Sequence, residues 1–154
     1  MGQEITGVSF TPLNSIPTAG GPVLHLLRPG GLSPKDAGEV YFSEVASGAI
    51  KAWKLHTRMT QNMAVPMGRV RFVLYDDRPD SPTRGTLAAY ELGRPDNWGF
   101  LRIPPCVWYG FAGVAQSASL VVNCPDMAHD PEESRRIPVD SNLIPYQWNS
   151  EETK

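Results

Sequence analysis

Nowhere does this chain run far without a helix breaker. Fifteen prolines and fourteen glycines are spread along its 154 residues. Each proline removes a main-chain donor and clashes with the preceding helical turn, so long helices are excluded. What remains between the breakers is a series of short segments rich in β-branched and aromatic residues. They lie at 8–11, 23–27, 40–45, 50–56, 70–75, 86–92, 100–103, 107–112 and 119–123. Short strands at this spacing, separated by turn formers, predict an all-β sandwich or barrel.

The stretch VYFSEVASGAIKAWKLH, residues 40–56, reads as strand, turn, strand, with Ser47-Gly48 as the turn. Alternation along a strand puts Lys54, His56 and Arg58 on one face and Trp53, Leu55 and Thr57 on the other. A strand face carrying several ionisable groups either meets solvent or lines a polar cavity.

The length fits one domain with a core of its own. Residues 1–34 are punctuated by Pro12, Pro17, Gly20-Gly21-Pro22, Pro29-Gly30-Gly31 and Pro34. They read as an arm that packs on a neighbour or over a cavity mouth, or as ordinary edge structure. Residues 35–148 form the core of the domain, and 149–154 a polar tail. The run 76–85, DDRPDSPTRG, is dense in turn formers. Residues 130–136 predict one short C-terminal helix, with Asp130 as cap, Pro131 at the first position, acids in the first turn and arginines in the last.

A net charge of −2 gives no electrostatic case for nucleic acid. No apolar run approaches the roughly 18 residues of a membrane span, and the N-terminus lacks the basic and apolar blocks of a signal peptide. Gly2 matches a lipidation motif only poorly. Cys106 and Cys124 sit in apolar surroundings and read as small buried hydrophobes. A cytoplasmic protein is expected. Phosphate-binding loops and the nucleophile elbow are both absent from the sequence. Where a metal-binding jelly roll carries two histidines, this chain has Lys54-Leu55-His56. An ammonium cannot ligate a metal, so neither metal nor cofactor is expected.

Five runs in order, GAIKAWKLH, MTQNMAVPMGRVRFVLYDDRPDSPTRG, LRIPPCVWYGFAG, NCPDMAHDPEE and IPVDSNLIPYQW, resemble the dTDP-4-dehydrorhamnose 3,5-epimerase family. The resemblance spans roughly residues 40–148. It implies a cupin-type jelly-roll β-sandwich, a homodimer with exchanged N-terminal strands and no metal. The implied substrate is a nucleotide-linked 4-keto-6-deoxy sugar, in polysaccharide or deoxysugar biosynthesis. The implied chemistry is removal of a proton beside the ketone by a base, with a tyrosine returning a proton from the other face. The family's histidine base falls on Lys54, its aspartate partner near Asp140 and its tyrosine near Val122.

Lysine is a poor replacement for that base, because its ordinary pKa of about 10.4 keeps it protonated. It suits the stabilisation of an enolate oxygen or a phosphate. His56, two residues on, titrates in the right range. One arrangement is therefore His56 as base, Lys54 as oxyanion stabiliser, Tyr109 as acid and Asp140 orienting His56 or Lys54. The rival is a Lys54–Asp140 salt bridge plugging a degenerate site, in a non-catalytic sugar-nucleotide-binding or scaffold protein. Arg71 and Arg78 are candidates for phosphate contact or else a solvated strand end and a turn. Trp53, Trp108 and Phe111 either stack on a nucleobase or belong to the core.

Overall fold

The computed structural model describes residues 3–149. The lipidation reading at Gly2 and the tail residues 150–154 lie outside them. Among the described residues the strands are β1 (Ser9–Pro12), β2 (Ser15–Ile16), β3 (Val23–Leu24), β4 (Tyr41–Val45), β5 (Ile50–His56) and β6 (Gln61–Met67). They continue with β7 (Arg69–Asp76), β8 (Leu87–Gly93), β9 (Gly99–Ile103), β10 (Val107–Gly113), β11 (Ser119–Asn123) and β12 (Ser134–Arg136). One five-stranded sheet runs β1-β9-β6-β11-β4 and a second β12-β5-β10-β7-β8, with β2-β3 as a separate pair. All the strand pairings are antiparallel. The expected all-β jelly-roll sandwich is what forms.

The two sheets close on one core. Val45, Met63, Val65, Leu101, Ile103 and Val121 from the first sheet meet Val70, Phe72, Leu74, Leu92 and Phe111 from the second. Burying a side chain of this size contributes about 1.5–3 kcal/mol. Both outer faces are covered too. The proline-rich arm lays Leu13, Leu24, Leu26, Leu27 and Leu32 over Ala64, Trp98, Phe100 and Val122 on the first sheet. The C-terminal segment lays Ile137, Ile144, Tyr146 and Trp148 over Trp53, Leu55, Val73 and Trp108 on the second.

The C-terminal helix does not form. Pro131–Glu133 is a single 3-10 turn, and Ser134–Arg136 is strand β12. Asp130 does cap the turn, accepting from the Glu132 N–H at 3.0 Å. What overrides the helix is the open edge of β5, on which β12 pairs Ser134 with His56 and Arg136 with Lys54. Cys124 is fully buried. Cys106 is only half-buried, in a left-handed turn (φ 64°), and its N–H donates to the His56 carbonyl at 2.6 Å.

The 76–85 run is a knot around one buried carboxylate. Asp76 accepts from the Arg78 main-chain N–H at 3.1 Å, and from Arg78 Nε and Nη2 at 2.8 Å each. Ser81 Oγ at 2.6 Å and Thr83 Oγ1 at 2.7 Å complete the set. Burial would raise this carboxyl, but the guanidinium and hydroxyls win and hold it far below the usual carboxylate range. Breaking a buried ion pair by removing one partner costs about 3–5 kcal/mol. Asp76→Ala should therefore lower the free energy of unfolding by about 3 kcal/mol, read from urea denaturation midpoints.

Candidate active site

At one end of the sandwich the inward rows turn from apolar to polar, and a cavity of about 440 Å³ opens between the sheets. Tyr41, Ser43, Met63, Val121 and Asn123 line the wall formed by the first sheet; Lys51, Lys54, Tyr109, Phe111 and Arg136 line the wall formed by the second. Three cations and no carboxylate face this space among the described residues. That polarity suits an anionic ligand.

A bulge in β5 builds the cationic wall. Lys51 pairs with Phe111 and Lys54 with Tyr109, so three steps along β5 match two along β10. Strict alternation would send Lys51 and Lys54 to opposite faces, but one extra residue returns both to the cavity. Lys51 then reaches across the gap to Ser43 Oγ at 2.8 Å and the Glu44 carbonyl at 2.7 Å. Lys54 is half-buried, and its pKa is pushed down by burial and by Arg136 while Glu133 opposes.

Behind the cavity wall lies a chain of three side chains. The His56 Nδ1 contacts Glu133 Oε1, and its Nε2 lies 3.1 Å from the Tyr109 hydroxyl. The other Glu133 oxygen accepts from the N–H groups of Arg58 at 3.3 Å and Met59 at 3.2 Å. Burial raises the Glu133 carboxyl, but the His56 ring and these two amides outweigh it and keep it ionised. An ionised carboxylate only accepts. His56 Nδ1 therefore carries the hydrogen, and Nε2 accepts from Tyr109. Burial pushes the His56 pKa down, aided by Lys54 and Arg136 and opposed by Glu133, so the ring is neutral at pH 7. Burial pushes the Tyr109 phenol well above its ordinary range. The arrangement is a proton path from the cavity through Tyr109 to His56, with Glu133 able to stabilise the imidazolium.

Of the residues picked out from sequence, the structure brings together Lys54, His56 and Tyr109. It does not bring in Asp140, which is exposed on the wall of a separate groove formed mainly by residues 139–149. The carboxylate on His56 is Glu133, and the plugging Lys54–Asp140 pair is absent from the ion pairs of the described residues. Arg58 stands beyond the strand end, paired with Asp130 at 2.5 Å. Arg71 contacts Glu91 at 3.3 Å, alongside the Arg69–Glu91 pair. Arg78 is committed to Asp76 and to the Thr6 carbonyl. Neither arginine lines the cavity.

Trp108 is buried in the outer cluster of the second sheet. Trp53 touches the cavity, but its ring packs against Trp148 (centroids 5.4 Å) and Tyr146 (6.1 Å), and its Nε1–H donates to the Val139 carbonyl at 3.1 Å. Both tryptophans are packing residues. Phe111 both lines the cavity and packs on Phe72.

The sequence reading missed Glu133, Lys51, Arg136, Tyr41 and Asn123. Glu133 and Arg136 fall within the stretch that reads as a helix, and the inward turn of Lys51 depends on a bulge that only the register against β10 reveals. Tyr41 and Asn123 carried a signal in their inward phase on β4 and β11.

The chain is 38% identical over 114 residues to the probable low-salt glycan biosynthesis epimerase Agl13 of Haloferax volcanii, covering 72% of each. It is 32% identical over 116 residues to the spore coat polysaccharide biosynthesis protein SpsL of Bacillus subtilis, covering 74% of this chain and 76% of that protein. A crystal structure of a dTDP sugar isomerase from Desulfovibrio desulfuricans superposes with a TM-score of 0.90 at 51% identity, over 94% of this chain and 92% of that one. The chain belongs to the dTDP-4-dehydrorhamnose 3,5-epimerase family. No protein-family model matches it. More distant structures share the fold. The dTDP-4-dehydrorhamnose 3,5-epimerase of Bacillus anthracis has a TM-score of 0.80 at 18% identity, over 93% and 85% of the two chains. The sugar 3,4-ketoisomerase QdtA of Thermoanaerobacterium thermosaccharolyticum has 0.69 at 19%, over 87% and 90%.

The lowered His56 pKa ties stability to pH. Below about 6.5 the unfolded chain takes up a proton that the folded one refuses, so stability falls as pH drops through this range. Chemical denaturation of wild type should show this loss between pH 7 and pH 5. His56→Gln should show a flatter profile over the same interval, and an unchanged slope would contradict the assignment.

Proposed function

We propose that this protein is a metal-independent epimerase or isomerase of a nucleotide-linked 4-keto-6-deoxy sugar, serving polysaccharide or deoxysugar biosynthesis. The observation that carries the reading is the Glu133–His56–Tyr109 chain ending in a cation-lined cavity. The ketone acidifies the neighbouring C–H. As the Tyr109 oxygen takes that proton, its own hydrogen passes to His56 Nε2, and no free tyrosinate has to form. The electron pair left on carbon moves into the enolate, whose oxygen is offset by the positive charge of Lys54 and Arg136. His56 thus keeps the part of base, reached through Tyr109. Glu133 takes the orienting part that Asp140 does not fill.

The curated relatives in glycan and spore-coat polysaccharide biosynthesis, and the dTDP sugar isomerase at 51% identity, support the substrate class. The cations Lys51, Lys54 and Arg136 support an anionic diphosphate moiety. A cytoplasmic homodimer belongs to the same reading. Val40 and Phe42, 49% and 63% exposed on and beside the edge strand β4, support association.

The test is proton NMR of the protein with dTDP-4-keto-6-deoxyglucose in deuterated buffer. Loss of the proton signals beside the ketone is expected for wild type. His56→Ala should lose this exchange while ligand affinity stays within about tenfold, since general-base terms of 10²–10⁴ leave binding largely alone. A binding shift without exchange in wild type would make the protein a sugar-nucleotide binder and sink the enzyme reading.

A further inference from the structure

Asp140 stands outside the cavity, and the groove it lines has a chemistry of its own. The groove encloses about 690 Å³ between the start of β5 and residues 139–149, within the roughly 300–1,000 Å³ of small-molecule sites. Ile50 lines both spaces, so they open side by side. Their charges differ. Three cations line the cavity, whereas the groove holds one carboxylate, Asp140, and no cation among the described residues. Beside Asp140 the polar groups are uncharged, chiefly the amides of Asn142 and Gln147. All three side chains are exposed, and among the described residues none of them bonds within the chain. The rings of Tyr146 and Trp148 lead the apolar part of the wall. The backing is held firmly: both rings pack on Trp53, whose Nε1–H donates to the Val139 carbonyl at 3.1 Å. The Ser141 N–H donates to the Pro138 carbonyl at 3.0 Å, and the Leu143 N–H to Ser141 Oγ at 3.3 Å. These bonds fix the loop that presents Asp140 and Asn142.

We propose that this groove is a second binding site, separate from the cavity, for an uncharged pyranose unit of a glycan. A pyranose presents C–H bonds on the face of its ring and hydroxyls around its rim. The aromatic wall offers an apolar platform for the first. The Asp140 carboxylate accepts from two hydroxyls at once, and the Asn142 and Gln147 amides both donate and accept. Hydroxyls likewise do both, so each finds a partner whichever way it turns. A nucleoside diphosphate is disfavoured here, because no cation offsets its phosphates and Asp140 repels them. The two neighbouring spaces therefore divide the chemistry: anion in the cavity, neutral polyol in the groove. The inference stands apart from the enolate chemistry proposed above, since it needs neither His56 nor Tyr109. It gives Asp140 a task as a hydroxyl acceptor, away from the reacting atoms.

The probe is methyl α-L-rhamnopyranoside, a neutral pyranoside without phosphate, titrated into isotope-labelled protein and followed by amide-resolved NMR. Saturable shifts confined to Ile50 and residues 139–149 are expected, with a Kd of about 1–10 mM. Asp140→Ala should weaken binding about tenfold and Asn142→Ala about threefold, the scales of a lost charged and a lost neutral hydrogen bond. Both side chains are exposed, so melting temperature and affinity for dTDP should match wild type. No saturable shift overturns the proposal, and so does unchanged pyranoside affinity in both variants. Shifts centred on Lys54, Tyr109 and Asn123 overturn it by placing the sugar in the cavity. Groove shifts induced by dTDP alone, as large as those of the pyranoside, overturn it by making the groove part of the nucleotide site. Groove signals that move with protein concentration in the absence of sugar identify a second copy as the occupant, and overturn it as well.

Discussion

The site depends on one buried carboxylate. Glu133 is 2% exposed, and a bare charge at that depth would be costly. It is tolerated because His56 and two main-chain amides meet its side-chain oxygens, while Thr57 N–H (2.7 Å) and Oγ1 (2.8 Å) meet its carbonyl. These bonds tie the 3-10 turn to the end of β5, and the turn in turn launches β12 along that strand. The position of Arg136 beside Lys54, the tautomer of His56 and the donor role of Tyr109 all follow from this clasp. A glutamine at this position would offer a donor where three donors already point.

That clasp also explains why lysine is tolerated at position 54. A carboxylate directly against Lys54 would form the plug that makes a degenerate site. Instead Glu133 is engaged by His56, and Lys54 is left beside Arg136 on the same cavity wall. Two cations held together in a partly desolvated space repel each other, and an anionic ligand relieves that repulsion. The wall is poised to receive negative charge. The neutral imidazole two residues further on reaches the cavity only through the Tyr109 hydroxyl.

The strands were legible because their apolar residues alternate between hard turn signals; β5 and β11 fall where the pattern places them. The family runs were legible as well, although part of what they encode is packing. The 76–85 run wraps Asp76, and the Ile144-Pro145-Tyr146-Gln147-Trp148 ending clamps Trp53. Arg78 and Trp108 stay open in the sequence between ligand contact and structure, because sequence shows what a side chain can bind, not what already occupies it. The errors in the site share one cause. Residues 130–136 satisfy every local helix rule, yet the hydrogen bonds offered by the β5 edge outweigh a helix too short to sustain itself. The bulge at Ala52-Trp53 is equally non-local, since only the register against β10 reveals it.

The same bulge links the two sides of the second sheet. By absorbing one residue in β5 it sends Lys51 and Lys54 inward and turns the Trp53 ring outward, under Tyr146 and Trp148. Gly110 stands opposite the bulge, and a Cβ there would meet the Ala52 Cβ at 2.5 Å and the Trp53 ring at 3.1 Å. Position 110 must therefore stay small for the bulge to seat. The aromatic clamp outside and the cation pair inside are consequences of one backbone irregularity. A substitution in the C-terminal segment, outside the cavity, would reach the site by loosening the strand that carries Lys54 and His56. This gives the IPYQW ending a mechanical role at the site: it holds the outer face of β5 so that the inner face keeps its phase.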